Sequence, residues 1–401
     1  MILKAAIRGL TRNIRRTFAV GLTIAVGAAA IFLFDGFNVG IMNQYRQNTI
    51  HSRFGYGQIN TKGYRDQVFE EPWNQWMSGG DELLAGVRTI DGVTAVFPRT
   101  EFFALLTNGN ITLSGKGQGI DGEAEAGFFK MLNVEEGVTL STEEDGILLG
   151  KGLARSLNAH PGDRITVLAN TVRGSLNALD FQVVGVFHTG SKDFDDVVFR
   201  IQRKRAEALL DTTKIESIAL GLRGVEDWPK VEAAIRNNFP GLEATPFAVL
   251  DKVYYQHAVD WLDSQFQVIL LIILVVVVLG ILNSVSTGIL ERKREIGTLR
   301  ANGESTFDVM RLLLAEASVL GLLSSVMGVV VAVVLNQTLL ANGILMPPSP
   351  GITRQFHVFI EPQSIMAIKT IFLGVSCTLI GTYVAASKVV KMPIAESLRA
   401  A

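Results

Sequence analysis

Along the 401 residues, apolar positions gather into four runs: Thr17 to Phe34, Gln265 to Leu290, Leu312 to Leu340 and Thr370 to Ser387. A helix needs roughly 20 mostly apolar residues to cross a bilayer core about 30 Å thick, and each run approaches or exceeds that length. The second run carries no charged residue, and Ile269 to Leu279 is almost solid Leu, Ile and Val. A soluble core helix would keep a polar face. A buried strand is also continuously apolar, but strands end after about 4 to 8 residues, so the pattern predicts membrane helices. The third run is interrupted by Glu316, and the first and fourth are short.

The long polar stretch between the first and second runs has the pattern of a folded α/β or α+β domain. Strand-like runs occur at Gly57 to Asn60, Val93 to Phe97, Gly146 to Leu149, Arg164 to Leu168, Phe181 to Phe187, Val197 to Ile201 and Ile218 to Leu222. Helical spacing marks Asp81 to Ile90, Gly152 to Leu157, Lys204 to Leu210 and Trp228 to Phe239, with a turn at Pro161-Gly162-Asp163. A helix is expected from Phe247 to Gln265, leading into the second run, and the first run is expected to extend outward through Phe37 and Tyr45 as a stalk.

Basic residues resist translocation and so orient the spans. They cluster before the first run (Lys4, Arg8, Arg12, Arg15, Arg16), between the second and third (Arg292, Lys293, Arg294, Arg300, Arg311) and after the fourth (Lys388, Lys391, Arg399). The connection from third to fourth holds Arg354 and, at the membrane edge, Lys369. Four spans place all three clusters, and both termini, on the cytoplasmic side. Leu3, Ile7, Leu10 and Ile14 against Lys4, Arg8, Arg12 and Arg15 describe an amphipathic helix on the inner leaflet. The alternative, a secretory signal with Ala28-Ala29-Ala30 as cleavage site, fits less well because the apolar run continues past the alanines. The net charge of −1 argues against nucleic acid, and Cys377, in the fourth run, is the sole cysteine.

The segment Glu291 to Gly303, followed by Arg311-Leu312-Leu313-Leu314-Ala315-Glu316 and the small-residue run Gly321 to Gly328, resembles the FtsX-like permease domain of MacB-type ABC transporters. Gly146 to Ala154, Pro161-Gly162-Asp163 and Val183 to Phe187 are similar to the periplasmic core domain of that family. Among its branches, the Phe54 to Ile59 start of the external stretch is most like the lipoprotein-releasing LolC and LolE permeases. The resemblance implies an α-helical inner-membrane protein with one transmembrane helix before and three after a large periplasmic α/β (α+β) MacB-like domain. The expected division is 1–16 amphipathic helix, 17–45 first span and stalk, 46–246 periplasmic domain and 247–290 stalk and second span. Residues 291–311 follow as coupling segment, 312–340 as third span, 341–369 as periplasmic loop, 370–387 as fourth span and 388–401 as cytoplasmic tail.

It further implies a permease that converts closure of a cytoplasmic ATPase dimer into movement of its external domain. Glu291, Arg292, Arg294, Glu295, Ile296, Gly297, Leu299, Arg300 and Gly303 would form the coupling set, with charges on the partner, Ile296 and Leu299 in its apolar pockets, and Gly303 turning the chain. Asn302, where the family commonly has an apolar residue, and Glu304 depart from its pattern. The Gly-Lys pair in Gly146 to Gly152 lacks the spacing and the Ser or Thr of a phosphate loop. ATP and magnesium are therefore expected on a separate subunit, with no cofactor or metal and no catalytic residue on this chain. A second identical or related permease chain would complete a core open to lipid, where Phe32, Phe34, Phe37 and Val268 contact the acyl chains of a lipoprotein or similar cargo. Two alternatives stay open: a MacB-like exporter with a periplasmic adaptor, and an FtsX-like transmitter acting on a periplasmic hydrolase. A periplasmic carrier would serve the first reading.

Small residues recur every four positions in the apolar runs: Gly21, Ala25 and Ala29; Gly280, Ser284 and Gly288; Ala317, Gly321 and Ser325, with Gly328 beyond. Such faces let helices approach closely where lipid gives no hydrophobic drive, and Asn283 and Thr287 are placed to add interhelical hydrogen bonds. Asp35 is expected at the outer interface, and Glu316 is expected to pair with Arg311 or a coupling-segment base rather than carry protons. The five histidines lack metal-ligand spacing, and Asp193, Asp195 and Asp196, like Glu143, Glu144 and Asp145, are read as acidic surface turns.

Overall fold

The computed structural model describes residues 8, 10–12, 14–67, 72–78, 80–140, 145–252, 257–347 and 355–394. Leu3, Lys4, Ile7, Glu143, Glu144, Arg354 and Arg399 lie outside the described residues. Two units form: Met1–Asn43 with Asp260–Met346 and His357–Ala401, and Gln44–Val259 with Pro347–Phe356.

In the second unit the strands are β1 (Gly57–Thr61), β2 (Val93–Thr107), β3 (Thr112–Ile120), β4 (Asn133–Gly137) and β5 (Gly146–Gly150), then β6 (Arg164–Asn170), β7 (Leu176–His188), β8 (Val198–Gln202), β9 (Ser217–Leu222) and β10 (Leu242–Pro246). The long strand β2 serves two sheets. Its first half pairs with β9 and so joins the antiparallel order β10-β1-β9-β2. Its second half pairs with both β3 and β6, which closes the ring β2-β3-β8-β5-β7-β6 into a mixed barrel. Only β3/β8 and β5/β7 run parallel within that ring.

The barrel interior follows from period-2 alternation. On β2, Phe102, Ala104 and Leu106 are buried while Phe103 and Leu105 face outward. Opposite them, β3 offers Gly115, Gly117 and Gly119: a Cβ at Gly117 would stand 2.5 Å from Phe102 Cζ and 2.7 Å from Phe199 Cζ. The glycines make the space that the two rings fill. A separate core lies between the antiparallel sheet and the helices Gly80–Arg88 and Trp228–Asn238, with Val87, Ile218, Leu220, Val231 and Ile235 at its centre.

Among the described residues, four helices, Ile14–Thr49, His257–Glu291, Thr306–Thr338 and Ser364–Val390, most of each in the first unit, carry stretches long and apolar enough to cross a membrane. The first runs unbroken beyond the apolar stretch to Thr49. The helix expected over Phe247 to Gln265 is interrupted at Asp251 (φ −102°, ψ 43°), which ends the single turn Phe247–Leu250; His257–Glu291 is helical.

Small residues set the approach of these helices. A Cβ at Gly328 would lie 2.3 Å from the Ala25 carbonyl oxygen, and one at Gly21 would lie 2.9 Å from Ser324 Oγ, so the first and third helices touch along this line. Gly321 backs onto Thr378, and Ser325 fills the space over Gly374, bringing third and fourth together. Ser284 Oγ donates to Thr23 Oγ1 at 3.3 Å between second and first, Gly280 has ordinary room beside Thr23, and Gly288 is buried. Asn283 and Thr287 do not join this packing: both are exposed on the outward side of the second helix, because the helical turn that buries Ile281, Val285 and Ile289 points them away.

Candidate functional site

Arg292 leaves the helical region (φ −91°, ψ 7°), which separates the second long helix from a short one, Lys293–Ala301. Gly303, with φ of 95°, then turns the chain in a conformation costly for other residues. Ser305 caps the third long helix by accepting a hydrogen bond from the Asp308 amide at 3.1 Å.

Five side chains connect this loop to its neighbours. Glu316, 5% exposed, accepts two hydrogen bonds from the Arg292 guanidinium, the Nη2 contact at 3.2 Å. Arg292 Nε also donates to Glu295 Oε2 at 3.1 Å, and Glu295 Oε1 lies 2.5 Å from Arg12 Nη2. The chain Arg12–Glu295–Arg292–Glu316 therefore ties the residues before the first helix, the short helix and the third helix together. Arg300 Nη1 donates to the carbonyls of Val390 and Met392 at 2.7 and 2.6 Å, satisfying acceptors that the end of the fourth helix leaves free. Arg8, Arg12, Glu295, Leu299, Leu312 and Glu316 are among the residues lining a pocket of about 480 Å³ beside the short helix.

This geometry redistributes the expected coupling residues. Ile296 is 2% exposed in the helix-bundle core and Gly297 is buried with it, so neither is open to a partner, and Leu299 packs half-buried against the same core. The apolar side of the short helix is spent on its own chain because helical spacing points it at Val309 and Leu313. Arg292, Glu295 and Arg300 are engaged within the chain. Glu291 and Arg294 remain exposed, followed at helical spacing by Thr298, Ala301 and Asn302. Phe307, in the first turn of the third long helix, is 71% exposed; sequence reasoning missed it although an aromatic outside an apolar run is a signal in itself.

At the other end of the bundle, Phe34 and Phe37 meet Phe266 edge-on at 5.9 and 6.1 Å between ring centres. Phe32 does not face lipid: it is 3% exposed among Ala29, Ala332 and Met366, since its place one turn from Ala29 turns it inward. Val268 is exposed.

In the barrel-bearing unit, Lys151 is engaged with Glu135, Nζ to Oε2 at 2.6 Å, at the start of a helix after β5. Asp195 is no surface turn. It is buried, accepting from Thr189 N and Oγ1 at 2.9 and 2.8 Å and meeting His188 Nδ1 at 2.6 Å. Glu101 and Glu216 lie in one hydrogen-bonded cluster with Tyr64, Lys116 and Gln118. Burial, then the charge of Glu101, pushes Glu216 up to about 8. For Glu101 burial acts upward too, but the Lys116 ammonium and the Gln118 amide outweigh it and hold the group below its ordinary range.

The model of the FtsX-like permease C-terminal region matches residues 267–394, and that of the MacB-like periplasmic core domain matches residues 17–238. The lipoprotein-releasing system transmembrane protein LolC of Neisseria meningitidis is 25% identical over 335 residues, 79% of this chain and 75% of that protein. The macrolide export ATP-binding/permease protein MacB of Marinobacter nauticus is 24% identical over 366 residues, 82% of this chain and 52% of its own length. The periplasmic region of MacB from Actinobacillus actinomycetemcomitans aligns over 51% of this chain and 93% of its own at 14% identity and a TM-score of 0.36, too low to add to the fold argument. Four membrane-crossing helices and a mixed α/β domain between the first two define a transmembrane permease of an ABC transporter in the inner membrane, its large domain periplasmic. The chain belongs to the MacB-like periplasmic core domain family.

Proposed function

We propose that this permease passes ATP-driven closure of a separate ATPase dimer to its periplasmic domain and thereby extracts lipoproteins, or another amphiphile, from the outer leaflet of the inner membrane. Both termini and the loop around Lys293–Ala301 are cytoplasmic in this reading. ATP and magnesium sit on the partner, and a second identical or related permease chain completes the core. The observation that carries it is the ion-pair chain Arg12–Glu295–Arg292–Glu316: a push on the short helix reaches the third helix and the residues before the first through it. Glu291, Arg294, Thr298 and Phe307 present the surface for the ATPase. Lipoprotein as cargo follows the relative whose name states lipoprotein release, matched along most of both chains.

A MacB-like exporter working with an adaptor is the second reading, favoured by the match to a macrolide export protein across 82% of this chain. Photo-crosslinkers at Phe34, Phe37 and Val268, in membranes with a working ATPase, separate them. Capture of acylated protein supports extraction, whereas capture of neither lipoprotein nor lipid removes it.

A further inference from the structure

The helix that carries the first span ends in a π-helical turn, Ile50–Phe54, and every residue of this site belongs to the unit Gln44–Val259. A helix end leaves its last carbonyls without intrahelical partners and carries partial negative charge. Here those of Ile50 to Arg53 are taken up. The Ile50 carbonyl accepts from Gly55 N at 3.0 Å, and that of His51 from Met131 N at 3.1 Å. The Ser52 carbonyl accepts from Arg200 Nη2 at 3.4 Å, and the Arg53 carbonyl accepts from Arg99 Nη1.

The two arginines are among the largest fully buried side chains of the molecule. Glu125 braces both: it accepts from Arg99 Nε and Nη2 at 2.7 and 2.8 Å, and its Oε2 lies 3.6 Å from Arg200 Nη1. Arg99 also covers the Phe129 ring at 4.3 Å, and Arg200 Nε donates to Gln118 Oε1 at 3.0 Å. Arg53 itself lies over Phe194 at 4.6 Å and 3.9 Å from Asp251, where the chain leaves the domain. Arg99 stands on β2, at the switch between sheet and barrel, and Arg200 on β8.

Buried charges are costly to keep, and an apolar cluster of the same volume would hold a domain together as well. What an apolar cluster cannot do is grip main-chain carbonyls directionally. We propose that Arg99 and Arg200, braced by Glu125, are positioning residues that carry displacement of the first helix into the barrel. This rests on the reading that the permease works by transmitted motion.

The test uses the full chain with its ATPase in nanodiscs. Replacement of the triad by Arg99→Met, Glu125→Leu and Arg200→Met preserves volume and removes the grip. Three quantities are read: ATP hydrolysis, ATP-dependent release of a fluorescent triacylated lipopeptide, and the distance between spin labels at Gln47 on the helix and Asn110 at the barrel's β2–β3 turn. In the unaltered protein the label distance stays narrow with and without ATP. In the triple variant it broadens, hydrolysis persists, and release per ATP falls about tenfold, the scale of one charge-assisted hydrogen bond lost. Equal loss of hydrolysis and release, or an unchanged label distance, overturns the proposal. Glu125→Gln keeps both guanidinium groups and shows the same split in smaller degree, so a triple variant that does not fold leaves the claim testable; no split in Glu125→Gln then overturns it. Absence of lipopeptide release in the unaltered protein, with the label distance still dependent on the triad, counts against the cargo reading instead.

Discussion

Glu316 sits in an apolar helix where an unpaired carboxylate is expensive, and Arg292 resolves this with two hydrogen bonds. Removing one member of a buried pair strands the other, at about 3–5 kcal/mol. Arg292→Ala should therefore lower the thermal stability of the detergent-solubilised protein sharply, while Arg292→Leu with Glu316→Leu restores most of it. Equal stability of the single and double variants would contradict the pairing. Glu216 offers a pH signature. With its folded value raised to about 8, the folded state holds a proton that the unfolded state releases near the ordinary carboxyl value. Its contribution is complete at acid pH and declines as pH rises toward 8, by at most about 1.4 kcal/mol per pH unit. Glu216→Gln should flatten this decline in melting curves between pH 5 and 8; curves parallel to those of the unaltered protein would show that Glu216 does not titrate there.

Among the strands and helices, Gly117 on β3 has no room for a side chain. A valine there would push into Phe102 and Phe199, and overpacking of this kind costs about 1–3 kcal/mol, measurable by denaturant unfolding. The same glycines hid β3 from the sequence, since Gly115, Gly117 and Gly119 remove the side chains whose alternation marks a strand. The predicted strands were legible because Ile147, Leu149, Ile165, Val167 and Val183 alternate or run together as β-branched or aliphatic residues; β4 and β10 are polar and escaped notice. At the candidate site, sequence showed that the loop between second and third helices is charged, but not that its apolar residues turn inward. Ile296 was legible as apolar, and only its register against Val309 and Leu313 decides what it touches. Phe307 is the exposed alternative. Phe307→Ala should weaken association with the ATPase about tenfold or more, as loss of an aromatic hot spot does, and leave the melting temperature unchanged; unaltered association would remove Phe307 from the interface.

The assembled permease combines a bundle whose small residues permit close helix contact with a periplasmic domain built on one long shared strand. The number of spans and the presence of the domain were readable from hydropathy, because bilayer thickness fixes helix length. The closed barrel was not, because β6 joins β2 across a long sequence separation that no local pattern records. In the proposed function, a separate ATPase drives this chain through the loop between the second and third helices. Affinity purification of the tagged full chain in mild detergent, with mass spectrometry of its proteins and lipids, tests it most directly. Recovery of an ATPase, lost in an Arg294→Glu and Phe307→Ala variant that still melts normally, is the predicted result. Recovery of no ATPase from membranes that contain the intact chain would rule out coupling to a separate ATPase.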